Sequence, residues 1–302
     1  MRTTFVELLL KHAKEDKNIQ LVTGDLGFGV LKPFTDQFPL QYVNAGVAEQ
    51  NMMAMAGGMA SLGLRPIVYS IGNFPTLRCY EQIRNDVCYY DADVKIVCIG
   101  GGFTYGSLGF SHHATEDIAI MRALPNMHVF APSDKLEANY IIEQLFNLKK
   151  PCYLRLERDS EKDLHKPGTS FSIGAPIMMN NFLKAKEAIF SYGTIAKNAL
   201  EVANQLEFDS YSVPCLKPID EKKFIEVLKQ YKKVYTLEEH NVIGGLASII
   251  SELIAKHHLD LELRAFGIND ILCSAVGDQE YLRKVNHLDI PSLLNEIKAK
   301  RK

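Results

Sequence analysis

The sequence predicts an α/β protein built from two doubly wound, mostly parallel, three-layer domains. Short apolar runs alternate with helical patterns of ten or more residues, which is typical of parallel strands joined by crossover helices. The first run ends in Gly24 and Asp25, and such residues collect at the carboxyl edge of a parallel sheet, where ligands bind. A polar, irregular stretch over residues 159–174 separates two series of runs. We therefore predict domains at residues 1–165 and 175–302, a division that a chain of 302 residues permits.

The first domain opens with a helical pattern that places Phe5 and Leu9 on one face. A helix is expected from about residue 76 to 89, and another begins near Leu136 behind the capping residues 133–134. The apolar runs between the helices predict six strands, at residues 19–22, 40–44, 66–70, 95–99, 127–132 and 152–156.

The second domain repeats the alternation of strands and helices. Residues 188–194 predict a strand and a turn into a helix, and residues 210–213 predict a strand that leads into two prolines. The run 233–239 enters a glycine pair and another helix, and the run 261–266 closes the series. The acidic residues that end the run 233–239 are expected to begin a loop, with an acid–base cluster as the alternative.

Composition argues against several classes of function. The net charge is about −2, which disfavours nucleic acid or an anionic membrane as a partner. No run reaches the roughly 18–20 apolar residues that span a bilayer. The six cysteines are scattered without a short ligand pair, which is typical of buried thiols in a reducing compartment. We therefore expect a cytoplasmic protein.

The segment Gly46–Met52 places one acid, Glu49, among small residues at the start of an apolar stretch without another charge. Burial disfavours the charged form of a carboxyl group, and an acid held in this way can exchange protons with a ring nitrogen. The plainer alternative is an acid in the first turn of a helix, where the helix dipole favours negative charge. The residues of this segment leave both roles open.

Three segments in order resemble transketolases, especially those encoded as two half-length subunits. They are Asn44–Met52, Arg78–Val87 and a histidine segment over residues 111–125, and the similarity continues over nearly the whole chain. The glutamate motif is specific to thiamine enzymes in general, and the three segments together are specific to their transketolase branch. The resemblance implies a thiamine diphosphate pyrimidine-binding domain followed by a transketolase C-terminal-like domain.

The resemblance assigns four residues to the cofactor. Glu49 would contact the aminopyrimidine ring of thiamine diphosphate and drive formation of the reactive ylid, as a catalytic residue. Phe74 would stack on that ring, a contact worth about 0.5–1.5 kcal/mol beyond area burial, although a phenylalanine at a strand end is more often part of the core. Asp25 and Arg78 match positions near the cofactor, and Asp25 could equally be a turn residue after a strand.

The resemblance also implies a set of substrate contacts. His112 matches the catalytic histidine that faces the donor oxygen and can stabilise charge developing there, although a lone histidine is more often structural. His113 stands where glutamine is common in the family. Arg155 and Arg158 follow the sixth strand and could hold an anionic group of the substrate, with solvated surface charge as the alternative.

The chain lacks the Gly-Asp-Gly and downstream Asn with which the family holds Mg²⁺ on the cofactor diphosphate, and we predict no metal ligand here. Mg²⁺ requires oxygen ligands in near-octahedral geometry. The resemblance therefore implies half of an enzyme, in which an N-terminal transketolase-like partner holds the diphosphate and provides most of the Mg²⁺ coordination. We expect an α2β2 heterotetramer in which this chain also associates with its own copy.

The predicted activity is that of an aldehyde or ketone transferase of carbohydrate metabolism, which moves a two-carbon ketol unit from a ketose to an aldehyde. Leu108 replaces an aspartate that reads a substrate hydroxyl in sugar transketolases, and Gly100 replaces a histidine near the substrate phosphate. Such losses change specificity strongly, so the acceptor is expected to differ from ordinary sugar phosphates. The alternatives are the β subunit of a 2-oxo acid dehydrogenase, a deoxyxylulose phosphate synthase-like subunit, and a non-catalytic assembly subunit.

Overall fold

The computed structural model of the protein describes residues 1–157 and 163–299 and contains two sheets flanked by helices. In chain order the strands are β1 Ile19–Thr23, β2 Tyr42–Asn44, β3 Arg65–Ile71, β4 Lys95–Ile99, β5 His128–Phe130, β6 Cys152–Leu156, β7 Ile177–Asn180, β8 Glu187–Ser191, β9 Asp209–Ser212, β10 Cys215–Lys217, β11 Lys233–Asn241 and β12 Glu262–Ile268. The helices are α1 Arg2–Glu15, α2 Lys32–Gln37, α3 Glu49–Ser61, α4 Phe74–Leu77, α5 Tyr80–Gln82, α6 Asp117–Ala123, α7 Lys135–Asn147, α8 Ala196–Leu206, α9 Glu221–Leu228, α10 Leu246–His257, α11 Gln279–Val285 and α12 Ile290–Ala299. The predicted α/β fold class is confirmed.

Both sheets are mostly parallel. The larger sheet has the order β10-β5-β6-β4-β3-β1-β2, and only the pair β10 and β5 is antiparallel. The smaller sheet has the order β12-β11-β8-β9-β7, and only the pair β7 and β9 is antiparallel. Strand β10 follows β9 in the chain yet pairs with the larger sheet, so a strand from the second half completes the first. The predicted domain limits fall between β6 and β7 and stay a prediction.

Successive side chains of the central strands pack into different cores, one on each face of the sheet, as expected for a sheet covered on both faces. In β3, Val68 belongs to one core cluster and Ile67 to another. The cluster of Val68 also contains Met52 from α3 and Phe190 from β8, so it joins the two sheets in one continuous core. The cluster of Ile67 contains Phe5 and lies under α1 and α7.

The helix expected over residues 76–89 is instead three segments, namely α4, α5 and a π-helical segment, Ile83–Cys88. The first break falls at Cys79, where φ is −132° and ψ is 29°. Helix α3 packs closely on the π-helical segment, because a Cβ added to Gly57 would lie 2.7 Å from the backbone oxygen of Asp86. This single-helix prediction is wrong because the chain leaves the helical conformation at Cys79 and then continues into a π-helical segment, a rare local geometry.

Other local predictions can be compared directly. The cap before α7 is confirmed, because the Asp134 side chain accepts a hydrogen bond from the Glu137 backbone nitrogen over 2.8 Å. The loop expected at Glu238 is wrong, because β11 continues to Asn241 between β8 and β12. Strands β7 and β10 were not predicted. Within the described part of the chain, no helix combines the length and apolar character needed to cross a membrane.

Candidate functional site

Three predicted site residues follow strands that are neighbours in the larger sheet. Asp25 comes two residues after β1, Glu49 begins α3 after β2, and Phe74 begins α4 after β3. Strands β2, β1 and β3 are adjacent and parallel, so their carboxyl ends lie along one edge of the sheet. Gly46, with a φ of 72°, turns the chain between β2 and α3. The topology therefore brings these residues to one side of the protein.

Glu49 lies beside a cavity at this edge. Its side chain is only 7% exposed, and Nη1 of Arg78 donates a hydrogen bond to its Oε1 over 2.8 Å. The cavity has a volume of about 510 Å³ and is lined by Val47, Ala48, Glu49, Gln50, Asn51 and Arg78. Glu49 also occupies the first turn of α3, where the helix dipole favours negative charge. The two roles considered from the sequence are therefore compatible.

The rings of Phe74 and His112 pack against each other next to the Glu49–Arg78 ion pair. The guanidinium carbon of Arg78 lies 3.9 Å from the centroid of the Phe74 ring. The Phe74 and His112 ring centroids are 5.2 Å apart, with an interplanar angle of 62°. The Ser111 hydroxyl is hydrogen-bonded to Nδ1 of His112 over 3.0 Å. Glu49, Arg78, Phe74 and His112 are thus a connected set, which we call the pocket group.

Asp25 lies at the same sheet edge but contacts a different residue. Its backbone nitrogen donates to Oδ1 of Asn44 over 3.0 Å, and Nδ2 of Asn44 donates to Oδ1 of Asp25 over 2.9 Å. The φ of Asp25 is 56°, a left-handed conformation that aspartate tolerates better than most residues. This geometry is that of a turn residue after a strand. It leaves the proposed contact with the cofactor as a prediction.

His113 lies in the protein interior, not in the pocket group. It is 2% exposed, and its ring packs edge-on against Phe103 and Phe110, with centroid distances of 5.1 Å and 6.0 Å. Burial lowers the pKa of His113, which favours the neutral ring. His112 ends a 3-10 turn, Phe110–His112, and His113 follows it in an extended conformation, so His112 reaches Phe74 while His113 packs inward. The structure therefore does not bring His113 to the pocket group, and its predicted substrate contact stays a prediction.

Arg155 also lies away from the pocket group. Its side chain is 1% exposed, Nη1 donates to Oδ1 of Asp117 over 3.2 Å, and Nη2 donates to the backbone oxygen of Glu239 over 3.0 Å. The guanidinium is thereby enclosed between the two halves of the protein, and its predicted role in substrate binding stays a prediction. Arg158 lies outside the described residues.

Comparison with protein families matches both halves of the chain. Residues 1–162 match the pyrimidine binding domain of transketolase, and residues 184–287 match the transketolase C-terminal domain. The chain belongs to the transketolase family. The resemblance carried by the three sequence segments is thereby confirmed.

Relatives in the transketolase family align with this chain along nearly their whole length. One of the subunits of an apulose-4-phosphate transketolase of Actinobacillus succinogenes is 30% identical, over 92% of this chain and 90% of the relative. A candidate transketolase C-terminal section of Methanocaldococcus jannaschii is 35% identical, over 98% of this chain and 95% of the relative. A solved structure described as a split gene transketolase, inactive beta4 tetramer, is 30% identical with a TM-score of 0.87, over 99% of this chain and 97% of that one.

The pocket group of this transketolase-family chain fits the pyrimidine end of thiamine diphosphate. Glu49 offers a carboxyl group to a ring nitrogen, Phe74 offers an aromatic face, and the adjacent cavity offers space. The same residues do not fit the diphosphate end. Among residues 1–157 and 163–299, no group of three or more His, Cys, Asp or Glu side chains is placed to hold a metal ion, and Mg²⁺ on a diphosphate needs several oxygen ligands.

The structure also contains a buried charge cluster that was not predicted from the sequence. Oε2 of Glu239 accepts a hydrogen bond from Nε of Arg283 over 2.5 Å, and both side chains are at most 4% exposed. Burial is the main cause that raises the pKa of Glu157, and the nearby charge of Glu239 raises it further. We call Asp117, Arg155, Glu157, Glu239 and Arg283 the interdomain charge cluster. For Arg155, Glu157 and Glu239 the sequence did contain a signal, because each is a charged residue within or next to an otherwise apolar strand.

Proposed function

We propose that this chain is the C-terminal subunit of a split, thiamine diphosphate-dependent transketolase that transfers a two-carbon ketol unit from a ketose donor to an aldehyde acceptor. The pocket group carries this proposal, because Arg78 links the buried acid beside the cavity to an aromatic ring that packs against a histidine. The family membership of the chain supports it. The finer assignments below are part of the same proposal.

Three residues of the pocket group, Glu49, Phe74 and His112, each have a distinct task. Glu49 holds or moves a proton at a pyrimidine nitrogen, and Phe74 orients the ring by stacking. When bound, thiamine diphosphate supplies the carbon nucleophile that attacks a ketose carbonyl. His112 donates a hydrogen bond to the substrate oxygen, where charge develops. Its Nδ1 is already hydrogen-bonded to Ser111, which leaves Nε2 for the substrate.

The remaining half of the active site would come from an N-terminal transketolase-like subunit that holds the diphosphate and Mg²⁺. The open cavity beside Glu49 supports this arrangement, as do relatives named as a transketolase subunit and as a transketolase C-terminal section. We propose an α2β2 assembly in which two copies of this chain also associate. The six cysteines are free and buried, which supports a reducing, cytoplasmic location.

The acceptor of the proposed transfer differs from that of ordinary sugar transketolases. Leu108 is 54% exposed and offers no polar group to a substrate hydroxyl. Gly100 has a φ of 96°, and an added Cβ would lie 2.2 Å from the ring of Tyr105, so no larger residue fits there without movement. The relative named for apulose 4-phosphate supports an unusual substrate. Efficient turnover of xylulose 5-phosphate with ribose 5-phosphate by the assembled enzyme would contradict this part of the proposal.

The test of the function is Glu49→Gln in the complex reconstituted with the N-terminal subunit. Glutamine can still accept the Arg78 hydrogen bond, so the melting temperature and the assembly are expected to stay unchanged. Turnover is expected to fall about 10²- to 10⁴-fold, the range for a lost general acid–base group. The exposed Glu81→Gln is the matched control.

Three outcomes would contradict the proposal or redirect it. Full turnover of the Glu49→Gln complex would favour a non-catalytic assembly subunit. Release of CO₂ from a 2-oxo acid without ketol transfer would favour one of the other thiamine enzymes. Tight binding of thiamine diphosphate by the isolated chain, with or without Mg²⁺, would contradict the division of the site between two subunits.

A further inference from the structure

Arg78 makes two contacts in the pocket group at the same time. Its Nη1 donates to Oε1 of Glu49 over 2.8 Å, and its guanidinium carbon lies 3.9 Å from the centroid of the Phe74 ring. The guanidinium group is therefore both paired with the carboxylate and stacked on the aromatic face. It covers the face of Phe74 on which it lies.

These are the two contacts that the proposed function gives to the aminopyrimidine ring. A guanidinium group is planar and delocalised and carries N–H donors beside its flat face. An aminopyrimidine ring is also planar, with nitrogen atoms along its edge. Because one face of Phe74 cannot carry both groups, and because Oε1 of Glu49 is already engaged, Arg78 and the ring compete for the same position.

Exposure allows Arg78 to leave this position. Its side chain is 46% exposed, whereas that of Glu49 is only 7% exposed. A buried carboxylate without a partner is unfavourable, so Arg78 stabilises the pocket group when no ligand is present. A long side chain that is half in solvent can move outward without disturbing α3 or α4.

We propose that Arg78 is a placeholder that occupies the pyrimidine position of the pocket group and is displaced when the cofactor enters. This inference rests on the proposed function. From the sequence, Arg78 was expected to bind the cofactor. The geometry instead assigns it a competing role, since Arg78 must release Glu49 and Phe74 before the aminopyrimidine ring can contact them. It would keep the acid paired and the aromatic face covered until the cofactor arrives with the partner subunit.

The first test measures cofactor affinity in the assembled complex by calorimetry with thiamine diphosphate and Mg²⁺. Arg78→Met removes the charge and the planar group, and we expect its Kd to fall about two- to fivefold, as for the loss of one competing cation–π contact. Arg78→Lys keeps the charge without the planar group and is expected to lie between wild type and Arg78→Met. The control is Arg84→Met, because Arg84 is exposed and its side chain contacts Asn85.

The direction of the change in Kd decides the question. Weaker binding by Arg78→Met would show that Arg78 is a ligand of the cofactor, and an unchanged Kd would show that it does not compete. Either result overturns the placeholder role while leaving the proposed function intact. A wild-type complex that does not bind thiamine diphosphate would instead contradict the proposed function.

A second test needs no cofactor and no partner. The chain contains no tryptophan, so Phe74→Trp introduces a single indole, which can be excited apart from the tyrosines, at the position that Arg78 covers. In that background Arg78→Met is expected to shift the emission of the indole, whereas Arg84→Met is not. Identical spectra for all three proteins, each folded by circular dichroism, would show that Arg78 does not cover the ring in solution and would overturn the inference.

Discussion

Replacement of Arg155 by methionine tests how much the interdomain charge cluster contributes to the stability of the fold. Arg155 and Asp117 are each 1% exposed, and their closest N–O distance is 3.2 Å. Methionine keeps most of the length of the side chain but leaves the carboxylate of Asp117 buried without its cation. Removal of one partner from a buried ion pair costs about 3–5 kcal/mol, because the remaining charge is uncompensated. We expect a loss of this size in the free energy of unfolding.

The assay is urea denaturation at neutral pH, with two further variants. Lys232→Met breaks an exposed pair with Asp260, whose side chains are 74% and 98% exposed, and it is expected to change stability little. Asp117→Asn added to Arg155→Met removes the stranded charge and is expected to restore part of the loss. Equal stabilities of Arg155→Met and Lys232→Met, or a further loss in the double variant, would refute the reasoning.

Two further predictions concern packing and pH. Gly57→Ala is expected to destabilise the protein by about 1–3 kcal/mol, because its Cβ would lie 2.7 Å from the Asp86 backbone oxygen. In Gly58→Ala, on the same helix, the added Cβ meets nothing within 4 Å, and the variant is expected to stabilise the protein by up to about 1 kcal/mol. Thermal melting of both variants checks this prediction, and stability changes of the same sign in both would contradict it. Burial opposes the charged form of His165, but its hydrogen bond to Glu137 and the nearby negative charges of Glu137, Asp134 and Asp163 together outweigh this effect and raise the pKa above the ordinary value of 6.5. The protonated pair therefore stabilises the fold fully below about pH 6.5 and less as pH rises through the raised pKa. The difference in melting temperature between wild type and His165→Ala should shrink as the pH is raised from 6 to 9. A constant difference would contradict this prediction.

The sequence predicted the parts of the fold that repeat a strong local pattern. The six strands of the first half were expected because each is an apolar run between turn signals, and burial on both faces explains why the runs of β1, β3, β4 and β6 do not alternate. Strand β10 could not be found in this way. It has three residues, Cys215–Lys217, and its pairing with β5 depends on tertiary contacts between the two halves.

The site was predicted unevenly for a similar reason. The resemblance located Glu49, Phe74 and His112, and the sheet topology then brought them to one edge. Arg78 lies on Phe74 because it follows four residues later and keeps helical backbone angles at the end of α4. This spacing was present in the sequence, but the short helix that uses it was not predicted separately. The burial of Arg155 was not foreseen, because a charge near the end of an apolar strand gives the same sequence pattern whether it reaches solvent or a buried carboxylate.

The pairing of β10 with β5 limits how chains of this kind can be shortened or recombined. A fragment that ends before β7 would expose β5 as an open edge, which invites aggregation with other strands. A chimera that joins the first half of one relative to the second half of another would place a foreign strand on that edge. Substitutions at Cys215 and Phe130, which face each other in the register, are therefore expected to be accepted as matched pairs. The sheet of the first half thus depends on a strand of the second half, although each half carries its own sheet.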